Sequence, residues 1–296
     1  MNEPVRPAPA STPRPADGPR FAVAFGGGGA RGLAHIHVVE ALDELGIRPV
    51  SIAGSSIGAI IGAGMAAGMR GRDMHAYARR ILGRRSEVAA RMWAARPGSL
   101  GEMMSGGIRV PQFNIERILA SFLPDIVPDS FEALQIPLKV TATDFFGHRL
   151  AVFDSGDLPS ALAASAAIPA VFRPVRRDGV LLVDGGITNP VPFDLIEADG
   201  DITIAIDVVG APTESDRRRP NSLDLMLGAN QLMMQSIVAM KLKLRRPDIF
   251  LRPPVLRFRA LDFLKVDAVL AETASMKDEL KRAVADKLER VERRKT

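Results

Sequence analysis

Cysteine is absent from this chain of 296 residues, and tryptophan and tyrosine occur only once each. Without cysteine there is neither a disulfide framework nor a thiolate zinc site. The scarcity of large polar aromatics leaves little surface for stacking on bases or sugars. The most apolar stretch, residues 52–69, is interrupted by glycine and serine, so it is too broken for a membrane-spanning helix.

The chain carries a net charge of +5 and a pI of about 9.9, with the excess mostly from arginine. Such a charge attracts anionic surfaces, either phospholipid headgroups or nucleic acid. No known nucleic-acid motif accompanies it, so we favour lipid and expect no nucleic-acid partner. Charge that only keeps the protein soluble is an equal alternative. We expect a cytoplasmic protein with peripheral contact to anionic membranes, and the oligomeric state stays open.

The chain divides into a tail and one domain. Residues 1–20 are rich in proline and alanine, which predicts a disordered segment. Residues 21–296 contain no internal repeat and no linker, which indicates a single domain. Within it, residues 70–107 combine many arginines with several methionines. We interpret them as helices and a loop that form either a mobile cap beside the site or a surface layer packed on the core.

Short apolar runs alternate with helical patterns from residue 21 onward. Residues 21–25 and 50–53 each precede a glycine-containing turn and a helical pattern. This order predicts successive strand–helix units and hence parallel strands. We expect an α/β fold with three α/β/α layers and a mostly parallel central sheet. Further strands are predicted at 138–143, 149–153, 180–183 and 202–206, and helices at 158–167, 223–244 and 266–291.

A glycine loop, residues 27–32 (Gly-Gly-Gly-Ala-Arg-Gly), follows the first predicted strand and opens a helix. Its backbone N–H groups can cradle an anion, either a phosphate or the oxyanion of an acyl-transfer intermediate. The same letters match the dinucleotide-binding pattern. That alternative requires an acidic residue about twenty positions later, where this chain has Gly54 and serines. The dinucleotide interpretation therefore loses its key contact.

Two further motifs provide a nucleophile and a carboxylate. Gly54-Ser-Ser-Ile-Gly58 is a G-x-S-x-G sequence between a strand and a helix, which is typical of a nucleophile elbow exposing Ser56. Val183-Asp-Gly-Gly186 ends a buried strand with Asp184 in a glycine turn. Alone, this second motif would be an ordinary turn. Together with the elbow and the loop, it is better interpreted as a functional carboxylate than as an ordinary turn.

These three motifs resemble, in order, the defining motifs of the patatin-like phospholipases, and the likeness extends from Phe21 to the final helix. The resemblance implies a lipid acyl hydrolase acting on phospholipid or lysophospholipid esters, with no metal or organic cofactor. It implies Ser56 as nucleophile, Asp184 as general base, and an oxyanion hole at Gly27, Gly28 and Gly29. Ser55 and Ile57 depart from the usual Thr and Met, which puts only the pocket shape in doubt. The supporting motif residues are Arg31, Gly32, Gly54, Gly58, Gly185 and Gly186.

The histidines favour a dyad over a triad. A triad in the α/β-hydrolase order needs a histidine late in the chain, and none follows His148. We interpret His35 and His37 as packed or capping residues and His148 as a turn residue. Asp184 must then lie within about 2.6–3.2 Å of the serine hydroxyl. We also expect its pKa to be raised towards neutrality.

Several alternatives stay open from sequence alone. A non-catalytic, membrane-associated regulator of the same fold would not need the serine, the aspartate and the loop together. Acyl transfer to an alcohol or lysolipid shares the acyl-enzyme with hydrolysis and is not separable by sequence. Arg31 either approaches a substrate phosphate or bonds loop carbonyls, and Asn189 braces the Asp184 turn. The basic residues at 241–246 either contact lipid or end an exposed helix.

Overall fold

The computed structural model describes residues 18–84, 86, 88, 113–213 and 220–293. The predicted tail, residues 1–20, lies outside this set except for its last three residues. The predicted cap, residues 70–107, is described only up to residue 84 and at residues 86 and 88, and it begins with a helix, Gly71–Leu82. The division into tail, single domain and cap therefore stays a prediction.

Strands and helices alternate along much of the described chain. The strands are β1 (Phe21–Phe25), β2 (Ser51–Ser55), β3 (Leu138–Asp144), β4 (Arg149–Phe153), β5 (Val175–Arg177), β6 (Val180–Asp184), β7 (Ile202–Ile206) and β8 (Ile249–Leu251). The helices are α1 (His35–Glu44), α2 (Ile57–Ala66), α3 (Gly71–Leu82), α4 (Ile115–Phe122), α5 (Leu158–Ser165), α6 (Ser222–Leu244), α7 (Val266–Glu272) and α8 (Met276–Arg293). Short 3-10 turns include Gly29–Ala34 and Gly185–Ile187.

The strands form one sheet in the order β5-β6-β3-β2-β1-β7-β8, with β4 also paired to β3. The four neighbouring pairs from β3 through β8 are parallel. The pairings of β3 with β4, of β3 with β6 and of β5 with β6 are antiparallel. The predicted mostly parallel central sheet is confirmed.

Helices cover both faces of the sheet. Val23 of β1 belongs to the larger apolar cluster, which also contains side chains of α1, α2, α5 and α8. Ala22 and Ala24 point to the other face and belong to a smaller cluster with Met234 and Val238 of α6. This alternation along β1 follows from the two-residue period of a strand. The α/β/α layering predicted from sequence is confirmed.

The ends of β2 and β6 meet beside β3. In β2, Ser55 pairs with Thr141 in parallel, and in β6, Asp184 pairs with Ala142 in antiparallel. Strand β4 pairs with residues 140–144 of β3, which include residues that also pair with β2 and residues that also pair with β6. Because β4 occupies one edge of β3, both β2 and β6 lie on the opposite edge. The two strands therefore approach each other head to head. Their carboxyl ends are next to adjacent residues of β3.

The predicted helix at 266–291 is wrong as one element, because it divides into α7 and α8. The Thr273 hydroxyl donates to the Val269 carbonyl at 2.8 Å, a side-chain bond that competes with helix continuation. Helix α4 and the short strands β5 and β8 were not among the predicted elements. Each is eight residues or shorter, which leaves little periodicity for a pattern to show.

Helix α6 is the longest described helix, with 23 residues. It begins at a capping box in which the Asn221 and Asp224 side chains each accept the other residue's backbone N–H. Its residues Gln231, Met234 and Val238 are buried. Neither α6 nor any other helix in the described ranges is both long enough and apolar enough to cross a bilayer.

Gly58 and Gly62 of α2 give a matched test of close packing. A Cβ at Gly58 would lie 2.2 Å from the Phe25 carbonyl oxygen, so Gly58→Ala should lower the free energy of unfolding by about 1–3 kcal/mol. At Gly62 the nearest atoms are side-chain carbons at 3.1 and 3.3 Å, so Gly62→Ala should change it by less than about 1 kcal/mol. Urea unfolding measures both, and equal losses would contradict the packing argument.

Candidate active site

Ser56 occupies a tight turn between β2 and α2. Its backbone has φ 54° and ψ −126°, a conformation that costs a non-glycine residue about 1–3 kcal/mol. Surrounding bonds hold it: the Ser56 N–H donates to the Ser165 hydroxyl at 2.8 Å, and its carbonyl accepts the Ala59 N–H at 2.9 Å. The turn places the side chain at the N-terminus of α2, as the elbow motif predicts.

The glycines of the two turn motifs allow close approach of neighbouring chain. A Cβ at Gly54 would lie 2.4 Å from the Ala59 Cα, and one at Gly185 would lie 2.2 Å from the Thr141 carbonyl oxygen. At Gly186 a Cβ would lie 2.6 Å from the Met234 methyl carbon. Any larger residue at Gly54 or Gly185 must displace backbone, so these glycines let the elbow pack closely on α2 and the Asp184 turn pack closely on β3.

Asp184 and Ser56 are in direct contact. The Ser56 Oγ donates to Asp184 Oδ2 at 2.6 Å, and the Gly186 N–H donates to Asp184 Oδ1 at 2.8 Å. Both residues are buried, with 4% of their surface exposed. The Thr143 hydroxyl donates to the Asp184 backbone carbonyl at 2.9 Å. The predicted hydrogen-bond reach between serine and aspartate is confirmed.

Burial makes the Asp184 carboxylate more basic. Loss of solvent is the largest influence and raises its pKa from 3.8 to about 6, although the hydrogen bonds from Ser56 and Gly186 act in the opposite direction. The predicted rise towards neutrality is therefore present. At neutral pH the group is mostly ionised, yet it accepts a proton more readily than an exposed carboxylate.

The glycine loop lies beside Ser56. A Cβ at Gly27 would come within 3.3 Å of the Ser56 Cβ. The Gly27 N–H already donates to the Pro190 carbonyl at 2.9 Å. No bond is found for the N–H groups of Gly28 and Gly29 to acceptors within the described ranges. Both residues have backbone so close to other carbonyls that a Cβ would lie 2.1 Å from an oxygen.

Two cavities meet at Ser56. The larger has a volume of about 440 Å³ and lies among α2, α3, α4 and nearby loops. Its lining is almost wholly apolar. The smaller, of about 30 Å³, is lined in part by polar residues and also reaches Asp184. The larger cavity is lined by residues that include Ile60, Met74, Ile81, Ile118, Phe172 and Leu264, and the smaller by residues that include Arg31, Asn230 and Gln231.

Arg31 supports the glycine loop. Its Nε donates to the Phe258 carbonyl and its Nη1 to the Val209 carbonyl, both at 2.6 Å. Burial lowers its pKa to about 10, so it stays charged at neutral pH. The interpretation of Arg31 as a residue that bonds loop carbonyls is confirmed. The next motif glycine, Gly32, would place a Cβ 2.2 Å from the Ile57 side chain.

Lys241 holds α6 against the turn that follows Asp184. Its ammonium donates to Asn189 Oδ1 at 2.5 Å and to the Val191 carbonyl at 2.7 Å, and it pairs with Asp194 at 2.5 Å. The prediction of Lys241 as an exposed cation at a helix end is wrong, because these partners bury the ammonium. The bracing role predicted for Asn189 is confirmed by this contact and by its bond to Asp194 at 3.0 Å.

The histidines bond elsewhere. His35 Nε2 lies 2.8 Å from the Gly26 carbonyl, and burial lowers its pKa to about 4, which makes it a neutral packed residue. His37 contacts Glu40 and the Leu270 carbonyl. In the described ranges, His37, Glu40 and His75 form one group with the spacing to hold a metal ion. Glu40 is already bonded to both histidines and lies 3.6 Å from Lys277.

Sequence reasoning gave no role to Ser165 or Thr143. Ser165 lies on α5 and bonds the strained Ser56 backbone. Thr143 lies inside β3 and bonds the Asp184 carbonyl. The sequence alone does not reveal the role of a hydroxyl within a strand, because its partner lies on a neighbouring strand.

Comparisons with known proteins agree on one family. The sequence profile described as Patatin-like phospholipase matches residues 23–196. An uncharacterised NTE family protein of Mycobacterium tuberculosis is 38% identical over 207 residues, which are 69% of this chain and 54% of that protein. Human patatin-like phospholipase domain-containing protein 6 is 28% identical over 280 residues, covering 85% of this chain and 19% of that protein. The matched region thus spans about half the length of the mycobacterial protein and about a fifth of the length of the human protein.

Solved structures give more distant similarities. VipD from Legionella pneumophila is 15% identical, with a TM-score of 0.44 over 88% of this chain and 66% of that chain. Human GIVD cytosolic phospholipase A2, in complex with methyl gamma-linolenyl fluorophosphonate and terbium chloride, is 13% identical. Its TM-score is 0.43 over 92% of this chain and 60% of that chain.

The buried carboxylate predicts a pH-dependent stability. Because the pKa of Asp184 is about 6 in the folded chain and ordinarily 3.8, the unfolded chain ionises first as pH rises. Asp184 should therefore lower stability between pH 4 and 6, by about 3 kcal/mol. Asp184→Asn removes this loss, so its stability relative to wild type should increase over that range in urea unfolding. Asp178→Asn, at an exposed carboxylate, is the control; a pH-independent Asp184→Asn difference would contradict the shift.

Proposed function

The chain belongs to the patatin-like phospholipase family, and we propose that it is a serine-dependent lipid acyl ester hydrolase of the phospholipase or lysophospholipase type. One observation carries the proposal: the 2.6 Å bond from the Ser56 hydroxyl to Asp184 lies at the wall of an apolar cavity of about 440 Å³. A cavity of this size and character suits an apolar ligand. An acyl chain in it would present its ester carbonyl to Ser56.

The first step forms an acyl-enzyme. Ser56 Oγ attacks the ester carbonyl carbon while Asp184 takes the hydroxyl proton, giving a tetrahedral oxyanion. When the carbonyl re-forms, the bond to the alcohol breaks, and the proton on Asp184 passes to the leaving alkoxide. The acyl group is then bonded to Ser56 Oγ. Asp184 is once more a carboxylate, so it is ready for the second step.

The oxyanion is stabilised by the glycine loop and the elbow helix. We narrow the predicted oxyanion hole to the N–H groups of Gly28 and Gly29, because the Gly27 N–H is bonded to Pro190. Both glycines line cavities that include Ser56. The N-terminus of α2 adds a partial positive charge at the same place. Such donors are commonly worth about 3–4 kcal/mol each in the transition state.

Water completes the reaction from the smaller cavity. This cavity is large enough to admit water, and its lining includes Asp184, Asn230 and Gln231. Asp184 takes a proton from this water as the oxygen attacks the acyl carbon. Collapse expels Ser56 Oγ, which recovers the proton, and the fatty acid leaves.

The expected substrates lie in membranes. The net charge of +5 favours peripheral contact with anionic phospholipid surfaces. A phospholipid ester presents both an acyl chain for the apolar cavity and a polar group that stays in water. We therefore propose membrane phospholipid or lysophospholipid as the substrate class, with no metal or organic cofactor in the reaction.

Ser56→Ala should abolish ester hydrolysis, lowering kcat by at least about 10³-fold, since the nucleophile is lost. The assay uses a panel of soluble and phospholipid acyl esters, with covalent labelling by an alkyl fluorophosphonate located by mass spectrometry. Ser55→Ala is the matched control: the adjacent Ser55 hydroxyl is buried and has no hydrogen-bond partner in the described part of the chain, so activity and labelling should persist. Retained activity in Ser56→Ala would refute the nucleophile, and inactivity of the wild type would favour a regulator.

The pH–rate profile reports the base. Since the carboxylate form of Asp184 accepts the proton, kcat/KM should fall about tenfold per pH unit below its pKa of about 6 and be flat above it. A soluble ester keeps membrane charge out of the measurement. Free histidines titrate in a similar range, so His75→Ala and His148→Ala are the controls and should retain the inflection. Its disappearance in either would contradict Asp184 as the base.

A further inference from the structure

The outward side of α6 is an apolar surface without a covering element among the described residues. No acidic residue is exposed on this helix after its first turn, and Lys243 is its one exposed charge. The side chains of Leu225 and Met233 are 60% exposed, and Leu244 is 79% exposed. At 3.6 residues per turn the group occupies about 120° of the helix, an arc that also contains the exposed Ser222, Ser236 and Lys243. We call it the α6 outer face: Leu225, Met226, Ala229, Leu232, Met233, Met240 and Leu244.

The opposite side of the same helix forms part of the candidate active site. Leu227, Asn230, Gln231 and Met234 line the small cavity that contains Ser56. Helix α6 is therefore a wall one helix thick, with the cavity on one side and exposed apolar side chains on the other. Whatever contacts the outer face lies within about 10 Å of the site, the diameter of a helix.

Exposed apolar side chains continue on the segment beside α6. Arg259 lies 3.8 Å from Asp224, which holds this segment near the first turn of the helix. Leu261 and Leu264 follow it, and they line the large apolar cavity while 39% and 45% of their surface is exposed. The wall of the large cavity thus reaches the protein surface close to the N-terminal end of α6.

We propose that the α6 outer face is the surface by which the protein rests on an anionic phospholipid membrane, with its apolar side chains in the boundary between headgroups and acyl chains. This inference rests on the proposed function, since the substrate would then enter directly from the membrane. Exposed apolar side chains with cations among them are suited to lie in that plane. Its methionines can adapt to a fluid surface.

The charges near the α6 outer face favour lipid, and not a second copy of the chain, as the partner that covers it. Lys243 and Arg246 are exposed at the C-terminal end of α6. Two outer faces brought together would offer these cations no acidic partner on either face. Anionic headgroups supply the missing charge across the whole surface. The nearby Arg245 is paired with Glu197, so it adds less.

Vesicle binding tests the surface without turnover. In a Ser56→Ala background, Leu232→Glu combined with Met233→Glu should lower partitioning onto vesicles of phosphatidylglycerol and phosphatidylcholine at least tenfold in a sedimentation assay. The matched control is Leu45→Glu, an exposed leucine (38%) after α1, at the end of the sheet opposite Ser56. It should change partitioning less than twofold. Equal binding by the double variant and the Ser56→Ala parent would overturn the proposal.

Turnover separates this inference from the proposed function. With Ser56 intact, the double variant should hydrolyse a soluble short-chain ester at the wild-type rate and vesicle phospholipid at least tenfold more slowly. Retained soluble activity also shows that the variant is folded. Equal vesicle hydrolysis would overturn the membrane surface. If no ester is cleaved by the wild type, the proposed function fails while vesicle binding still decides the surface.

Light scattering after gel filtration tests whether a second copy of the chain, instead of a membrane, covers the α6 outer face. A wild-type chain that binds vesicles as a monomer supports the proposal. A wild-type dimer that the double variant converts to a monomer, with no vesicle binding in either form, would assign the α6 outer face to a second copy.

Discussion

The hydrogen bond between Ser56 and Asp184 depends on two strands meeting end to end. Strands β2 and β6 run towards each other along the same edge of β3, and their last residues pair with Thr141 and Ala142. Register thus brings together two side chains separated by 128 positions. A slip of one residue would point Asp184 to the other face of the sheet. The pairing of both strands with β3 therefore sets the distance between Ser56 and Asp184.

Burial of Ser56 and Asp184 lowers the stability of the fold and also raises the pKa of the Asp184 carboxylate. The Ser56 backbone is strained, and the acid loses water on folding, so both groups weaken the fold. Neighbours offset this: Ser165 and Thr143 hydrogen-bond the backbone of the pair, and Gly186 bonds the carboxylate. These residues bind no proposed substrate atom, yet they keep the side chains of Ser56 and Asp184 in place.

The sequence carries the local geometry of the site but not all of its surroundings. The glycine turns and the strand–helix order predict the elbow at Ser56, because each depends on a few adjacent residues. Ser165 and Lys241 act only through partners far away in the chain. Ionic or apolar character alone cannot show that the Lys241 ammonium turns inward to contact the chain after Asp184 while Lys243 is exposed. For the same reason the break at Thr273 was not predicted: one side-chain bond interrupts an otherwise continuous helical pattern.

In a dyad without histidine, the basicity of the Asp184 carboxylate would depend on its burial away from solvent. An exposed carboxylate is a weak base for a serine hydroxyl, and no imidazole lies between the two groups to compensate. Desolvation is the largest influence on the Asp184 pKa, so exposure of the carboxylate to bulk solvent would weaken the base. An acyl chain bound in the apolar cavity would shield the carboxylate from bulk solvent. Substrate binding would then strengthen the base that acts on it, which couples recognition of an apolar chain to proton transfer.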